Sequence, residues 1–252
     1  MKLTLLERPT SLTALDFKVR LEKELEDIKG ELTASLALDD FSPSGWARIS
    51  VHGEDSEIVT ELISNRFGLA NTDPREIQVP GVYKAEIIGS NAMGLQCDYG
   101  LDSQDVSCTI PTPNLNAQLA DGKNIRPREL IECYCFYPGV RISTRVTKKK
   151  GNEMEAWLSD EQMEHIREWI STGLDRIQAF DCFREEAESA ILKTHLSRDV
   201  IAVESITLTM QSIVCKLGTD AIGLIPKLGH VLRRQKLTPF RPKKIIARCR
   251  PW

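Results

Sequence analysis

The sequence predicts an α+β protein with an N-terminal ferredoxin-like sandwich, a central OB-like β-barrel and a C-terminal α+β domain with a β-hairpin. The first part alternates strand and helix patterns, the middle is a run of short strands and tight turns, and the last third mixes both. The 252 residues, 41% hydrophobic and 27% charged, suffice for two or three globular domains. We expect domains over residues 1–72, 79–150 and 153–252.

The N-terminal part reads in the order β-α-β-β-α. A short strand over residues 2–6 precedes a long helix that Gly30 ends, and strands over 31–38 and 46–51 lead to a second helix after Gly53. This order is typical of a ferredoxin-like unit, with helices on one face of an antiparallel sheet. The apolar residues that predict the first helix by their spacing are Leu12, Leu15, Val19, Leu25 and Ile28.

The central part changes to short strands separated by glycine-rich turns. Strands are predicted over residues 82–88, 93–99, 106–110 and 139–147, with one helix near 128–135. This pattern favours a small barrel. On the helix, Cys133 and Cys135 diverge, so they are a poor zinc pair.

Four segments carry a resemblance to a known RNA-binding repeat: residues 81–88, 93–100, 108–111 and 139–146. Their succession resembles the OB-type repeat of bacterial ribosomal protein S-one. The resemblance implies RNA binding with aromatic side chains that stack bases. Here the matching strands carry Met93, Leu95 and Cys97, so Tyr83 and Tyr99 are the stacking candidates, and a protein-docking module remains an alternative.

The C-terminal part is predicted to begin with a strand over residues 153–158. Ser159 and Gln162 form a capping box that starts a helix. A strand over 176–180, a helix over 184–194 and a long strand over 200–210 follow. We then expect a hairpin of residues 213–216 and 221–225, and a short helix that begins at Pro226.

Three segments of this last third, residues 173–177, 198–204 and 215–229, carry a second resemblance. They are similar to an archaeal family catalogued as domain of unknown function 2110. The resemblance runs over most of the chain and is strongest here. It implies an archaeal, intracellular protein and supplies no catalytic residue.

The charge is unevenly distributed along the chain. The net charge is −3, yet the stretch from residue 226 to 252 holds nine basic residues and no acidic one. Such asymmetry favours contact with a polyanion, although a solvated tail that folds back on an acidic body is the alternative. Lys216 precedes a glycine-flanked turn over residues 218–220, which leads to the predicted helix start, and we add it to the cations of the basic stretch. The expected phosphate contacts are Lys216, Lys227, Arg233, Arg234, Lys236, Arg241, Lys243 and Lys244.

The sequence carries no signature of a metal, cofactor or membrane-spanning site. The four histidines are scattered, and neither a P-loop nor a G-x-G-x-x-G motif is present. We therefore expect a cytoplasmic, non-enzymatic protein without cofactors that binds RNA or a ribonucleoprotein such as the ribosome. One alternative is an adaptor of transcription or translation complexes that uses the acidic N-terminal half. The other is an enzyme with an unrecognised site, for which the nearest polar residues are Asp199, Glu204, Asp220 and His230.

Overall fold

The computed structural model describes residues 1–10, 12–71, 73–101 and 106–249. The chain divides into two compact units. Met1–Gln78 and Tyr99–Val106 form the first unit, and Val79–Asp98 and Ser107–Trp252 form the second. The mixed α+β class is confirmed, while the three expected domain boundaries stay a prediction.

The first unit has the predicted order of strands and helices. Its elements are β1 (Lys2–Thr4), α1 (Ala14–Lys29), β2 (Ala34–Phe41), β3 (Ala47–Gly53) and α2 (Ser56–Phe67). The antiparallel sheet has the order β1-β3-β2, and an antiparallel bridge between Leu5 and Leu69 adds a short fourth segment beside β1. This arrangement is ferredoxin-like, as predicted.

The buried face of α1 differs from the expected one. Phe17, Leu21 and Leu25 face the core, whereas the Leu15 side chain is 95% exposed and that of Val19 is 68% exposed. Phe17, Leu21 and Leu25 repeat every four residues and so form a stripe of their own. Helical spacing alone therefore predicted the helix but not which of two apolar stripes is buried.

The second unit begins with a closed barrel, which confirms the OB-like prediction. Its strands are β4 (Gly81–Ser90), β5 (Gly94–Asp98), β6 (Ser107–Pro111), β7 (Arg141–Lys150) and β8 (Glu153–Leu158). They close in the order β4-β5-β6-β8-β7, with β6 and β8 parallel and the other pairs antiparallel. Closure leaves this sheet without an unpaired edge.

Two helices, rather than the one predicted, lie between β6 and β7. They are α3 (Thr112–Leu119) and α4 (Pro127–Tyr134). Each has a proline in its first turn, which is a favourable place for a residue without an amide hydrogen. The missed helix α3 is short and buries Leu115 and Leu119 four residues apart.

The C-terminal elements form a four-stranded antiparallel sheet of order β10-β11-β9-β12. The capping serine, Ser159, accepts a hydrogen bond from the Gln162 amide at 3.1 Å, which confirms the predicted helix start. The elements are α5 (Asp160–Ser171), β9 (Arg176–Phe180), α6 (Arg184–Lys193), β10 (Val200–Thr207), β11 (Met210–Cys215), α7 (Ala221–Val231), β12 (Lys236–Phe240) and α8 (Pro242–Cys249).

The hairpin occurs at a different place from the expected one. It joins β10 to β11, and residues 221–225 belong to helix α7 rather than to a strand. Pro226 lies inside α7, so the helix start predicted there is wrong. Because Ala221, Leu224 and Leu228 are buried at helical spacing against the sheet, tertiary packing outweighs the β-like run and the proline.

The basic C-terminal stretch is part of the fold over its described residues, 226–249, and is not a solvated tail there. β12 pairs with the central strand β9, and α8 packs against α4 and α5. Helices α6 and α7 cover one face of the sheet, where Ile177, Ala179 and Ile213 contribute to the apolar core. The opposite face carries Gln178 and Phe240 and packs against α5, where Phe240 contacts Trp169.

Candidate nucleic-acid interface

The main group of cations lies where α4 and α8 pack side by side. In α8, burial of Pro242, Ile245 and Cys249 leaves Lys243 and Lys244 exposed on the other side of the helix. In the part of the chain that the structure describes, neither lysine ammonium has a carboxylate within ion-pair distance. Two of the predicted phosphate contacts are therefore solvent-exposed and adjacent.

Arg126, which directly precedes α4, and Arg248 of α8 share a single carboxylate. Glu129 accepts hydrogen bonds from the guanidinium of Arg126 and, at 2.8 Å, from that of Arg248. These hydrogen bonds lower the pKa of the Glu129 carboxyl, and the one from Arg126 has the larger effect. Arg128 pairs with Glu132 at 2.9 Å. Because these arginines outnumber the two carboxylates, the neighbourhood keeps a positive excess.

An open groove of about 740 Å³ runs beside α4. Arg126 and Arg128 line one part of it, Tyr137 lines another, and Asn91 of the β4–β5 turn closes it. The Tyr137 ring is half-buried, lies edge-on to Phe180 at 6.0 Å between centroids, and has the Lys236 ammonium 3.5 Å from its centroid. Partial desolvation lowers the pKa of Lys236. A tyrosine fixed among cations is the composition of a base-stacking site.

We call this region the α4–α8 surface. It consists of the groove and of the residues Arg126, Arg128, Tyr137, Lys236, Lys243, Lys244 and Arg248. Lys236, Lys243 and Lys244 were in the predicted set, whereas Tyr137 was missed. Its sequence signal was an aromatic pair followed by proline and glycine, shortly after a helix that contains Arg128 and is preceded by Arg126.

The other predicted cations lie elsewhere. Lys227 is exposed on α7, which covers the opposite face of the sheet, and Arg233 and Arg234 follow the end of that helix. Lys216 is exposed directly after β11. Arg250, counted in the basic stretch, lies outside the described residues. The charge argument expected one continuous basic face. The structure instead distributes these basic residues over different parts of the second unit.

Arg241 is held by carboxylates. Its guanidinium lies 3.5 Å from Asp175 and 3.4 Å from Asp220. The same Asp175 accepts a hydrogen bond from the amide of Ala221, the first residue of α7. A side chain of the protein thus occupies the helix start near the 218–220 turn, a region whose sequence was compatible either with an anion site or with a turn that glycine merely permits. We leave Arg241 out of the phosphate contacts.

The two predicted stacking tyrosines differ in exposure. Tyr99 is 1% exposed and belongs to the first unit, where its carbonyl accepts from the Asn71 amide, so its ring offers no face to a base. Tyr83 shares a strand face with the buried Ala85 and Ile87, since alternate residues of a strand point the same way, but it is partly exposed. The stacking role expected of Tyr83 stays a prediction.

The strands that hold aromatic residues in the related repeat carry small polar side chains here. Gln96 of β5 and Thr109 of β6 are hydrogen-bonded to each other at 3.2 Å, while Leu95 and Cys97 are buried in the barrel. β5 and β6 contain no aromatic residue. A stacking site must therefore lie away from these two strands.

Two polar residues of the enzyme alternative have separate partners. Glu204 pairs with Arg176 on the same face of the C-terminal sheet, and Asp220 pairs with Arg241. Within the described ranges, no three His, Cys, Asp or Glu side chains are grouped so that they could hold a metal ion. No helix in the described part of the chain has both the length and the apolar character needed to cross a bilayer.

Known proteins similar to this chain are found among solved structures and in a family model. None of the curated proteins matches the sequence. Among solved structures, the chain is similar to GSP13 from Bacillus subtilis, with 12% identity and a TM-score of 0.26. That similarity covers 34% of this chain and 59% of the GSP13 chain, so it spans about three fifths of that protein. Residues 174–238 match the family model described as the DUF2110 C-terminal domain, which confirms for this segment the second resemblance noted in the sequence.

Proposed function

We propose that the protein binds RNA, alone or within a ribonucleoprotein, through the α4–α8 surface. The observation that carries the proposal is the groove, in which Tyr137 lies among Arg126, Arg128 and Lys236. Phosphate contacts supply affinity without sequence preference, and an aromatic ring supplies stacking that any base can use. The exposed Lys243 and Lys244 extend the positive region along α8.

The electrostatic balance of the surface supports a polyanionic partner. The surface has six cations and two carboxylates, those of Glu129 and Glu132, so four positive charges remain in excess. The cations are Arg126, Arg128, Lys236, Lys243, Lys244 and Arg248. The chain as a whole has a net charge of −3. A local positive excess on a negative protein orients an approaching polyanion toward this one region.

The decisive experiment compares two double charge reversals by fluorescence anisotropy with a labelled single-stranded RNA, a labelled RNA stem-loop and a duplex DNA. We expect Lys243→Glu/Lys244→Glu to weaken RNA binding at least tenfold. The matched control, Lys227→Glu/Arg234→Glu, changes the net charge equally but lies on the α7 side, and we expect less than a threefold effect. Equal losses in both variants, or no binding of RNA by the unmodified protein, would overturn the proposal.

A second candidate function is an adaptor role of the N-terminal unit. The observation that favours it is the exposure of Leu15 and Val19 on α1 and of Ile58 and Leu62 on α2, two apolar pairs one helical turn apart. Exposed apolar patches commonly mark protein contacts. A protein that still copurifies after nuclease treatment, and is lost with Leu15→Glu/Val19→Glu, would support this role. Retention of RNA alone would exclude it.

A further inference from the structure

A second, smaller cavity lies between α5, β7 and the face of the C-terminal sheet opposite α6 and α7. Its volume is about 150 Å³. Tyr134, Phe136, Trp169 and Phe240 supply aromatic walls, and Met210 adds a flexible one. An apolar cavity of this size holds a single six-membered ring. The cavity is separate from the groove of the α4–α8 surface, since only Phe136 lines both.

A row of polar side chains crosses the sheet at this cavity. Strand register places Glu204 opposite Ser212, Ser212 opposite Gln178, and Gln178 opposite Thr238. Ser212 and Gln178 are buried, at 0% and 1% exposure. Polar side chains in the centre of a sheet face are costly to bury unless they have partners. Packing alone therefore does not explain why these polar side chains are buried in the sheet.

Two atoms of this row, Gln178 Oε1 and Thr238 Oγ1, are buried without a hydrogen-bond partner among the described residues, and of these two residues Gln178 is the one that lines the cavity. The Gln178 side-chain amide donates to the Ser212 hydroxyl at 3.1 Å, but its Oε1 is buried and accepts no hydrogen bond from any described residue. Gln178 lines the cavity. The neighbouring Gln162 differs, because its Oε1 already accepts from the Ser143 amide at 2.9 Å. The cavity thus presents one unused acceptor among aromatic walls.

The walls are held in place before any ligand binds. Trp169 has the Arg176 guanidinium 4.4 Å from its ring centroid and contacts Phe240 edge-on at 5.2 Å. Arg176 is fixed in turn by Glu204, and the His165 ring contacts the indole in a tilted arrangement at 4.7 Å between centroids. Preorganised walls reduce the ordering cost of binding. A cationic ligand is disfavoured, because Arg141 also lines the cavity.

We propose that this cavity binds a small, uncharged, planar heteroaromatic ring that donates a ring N–H to Gln178 Oε1. This is the chemistry of uracil, either as the free base or splayed out from an RNA chain, where its N3–H remains as a donor. The ring stacks or packs against Trp169 and Phe240. The inference rests on the proposed function only if the base belongs to an RNA chain. Binding of the free base does not depend on RNA binding. All residues that form the polar row lie within the segment that matches the family model.

The test uses uracil and pyrimidine, which share a ring size but of which only uracil carries an N–H. Binding is followed by NMR on the Met210 methyl group and on the Trp169 indole N–H. We expect saturable shifts with uracil and at least tenfold weaker binding of pyrimidine. Gln178→Leu removes the acceptor and is expected to abolish that preference, while pyrimidine binds as before. Equal binding of uracil and pyrimidine would show that Gln178 Oε1 does not select the ring, and no shift at either probe would show that neither ring enters the cavity. Either result would overturn the proposal.

Two further variants separate this inference from the proposed function and from misfolding. Ile206→Trp fills the cavity from its edge and leaves Gln178 in place, so it should abolish binding of both rings. Lys243→Glu/Lys244→Glu should weaken RNA binding at least tenfold and leave uracil binding intact. If Gln178→Leu lowers the affinity of a uridine oligonucleotide but not that of an abasic one, the ring comes from RNA. An unchanged oligonucleotide affinity assigns the cavity to a free base.

Discussion

The salt dependence of RNA binding can be calculated from the α4–α8 surface. Six cations and two carboxylates leave four positive charges in excess. Each phosphate contact with a single strand contributes about −0.7 to the slope of log affinity against log salt, so four contacts give about −2.8. Raising the salt concentration from about 50 to 200 mM should therefore weaken binding about 50-fold.

The perturbation is Lys243→Ala/Lys244→Ala, which removes two of the four excess charges. The slope should fall to about −1.4, so the same change of salt should weaken binding only about sevenfold. Both lysines are exposed and have no carboxylate partner among the described residues, so the fold should not change. Circular dichroism and urea unfolding check this point.

The assay is fluorescence anisotropy of a labelled single-stranded RNA at four or more salt concentrations. Lys227→Ala/Arg234→Ala is the matched control and should keep the slope of the unmodified protein. Parallel slopes for the Lys243→Ala/Lys244→Ala variant and the unmodified protein would refute the reasoning, because those lysines would then make no phosphate contact. A reduced slope in the control would show that the α7 side belongs to the interface.

Three further predictions follow from particular contacts. Tyr137→Leu should weaken RNA binding by about 1–3 kcal/mol without altering the salt slope, because stacking releases no counterions; a changed slope would argue against a stacking role. Pro226→Ala should raise the free energy of unfolding in urea by about 1–3 kcal/mol, since Pro226 lies inside α7 and not at its start; a loss of stability would favour the helix start expected from the sequence. Burial raises the pKa of Tyr134, whose hydroxyl donates to the Leu119 carbonyl at 2.7 Å. Stability should therefore be complete below the unfolded-state pKa of about 10 and fall as the pH rises above it. Tyr134→Phe should cost about 1–2 kcal/mol at pH 7 and flatten that alkaline decline, as urea unfolding between pH 7 and 11 will show.

The sequence predicted those elements whose signals are local. Ser159 caps α5 because a serine before a helix and the amide three residues later form a hydrogen bond within one turn. The barrel strands alternate between inner and outer residues, and glycines mark several of their turns, so their approximate positions follow from the pattern. The β-α-β-β-α order of the first unit is predictable for the same reason.

Local signals failed where packing made the choice. Residues 221–225 are apolar enough for a strand, and Pro226 is typical of a helix start, yet burial of Leu224 and Leu228 against the sheet makes the whole stretch one helix. Tyr99 is a plausible stacking residue by composition, but it lies buried in the other unit. Neither outcome can be read from neighbouring residues, because both depend on contacts with distant segments.

Charge density along the chain was determined by the sequence, but its distribution over the surface was decided by the tertiary structure. The stretch from residue 226 onward is basic in any conformation. In the folded protein, Lys227 lies on the α7 side of the sheet, and Arg241 pairs with two carboxylates. Lys236, Lys243 and Lys244 belong to the α4–α8 surface together with Arg126 and Arg128. The polar row through Gln178 likewise exists only because strand pairing aligns residues from four separate segments. The physical reason is that composition fixes how many charges and hydrogen-bonding groups a chain has, while only packing fixes which of them become neighbours.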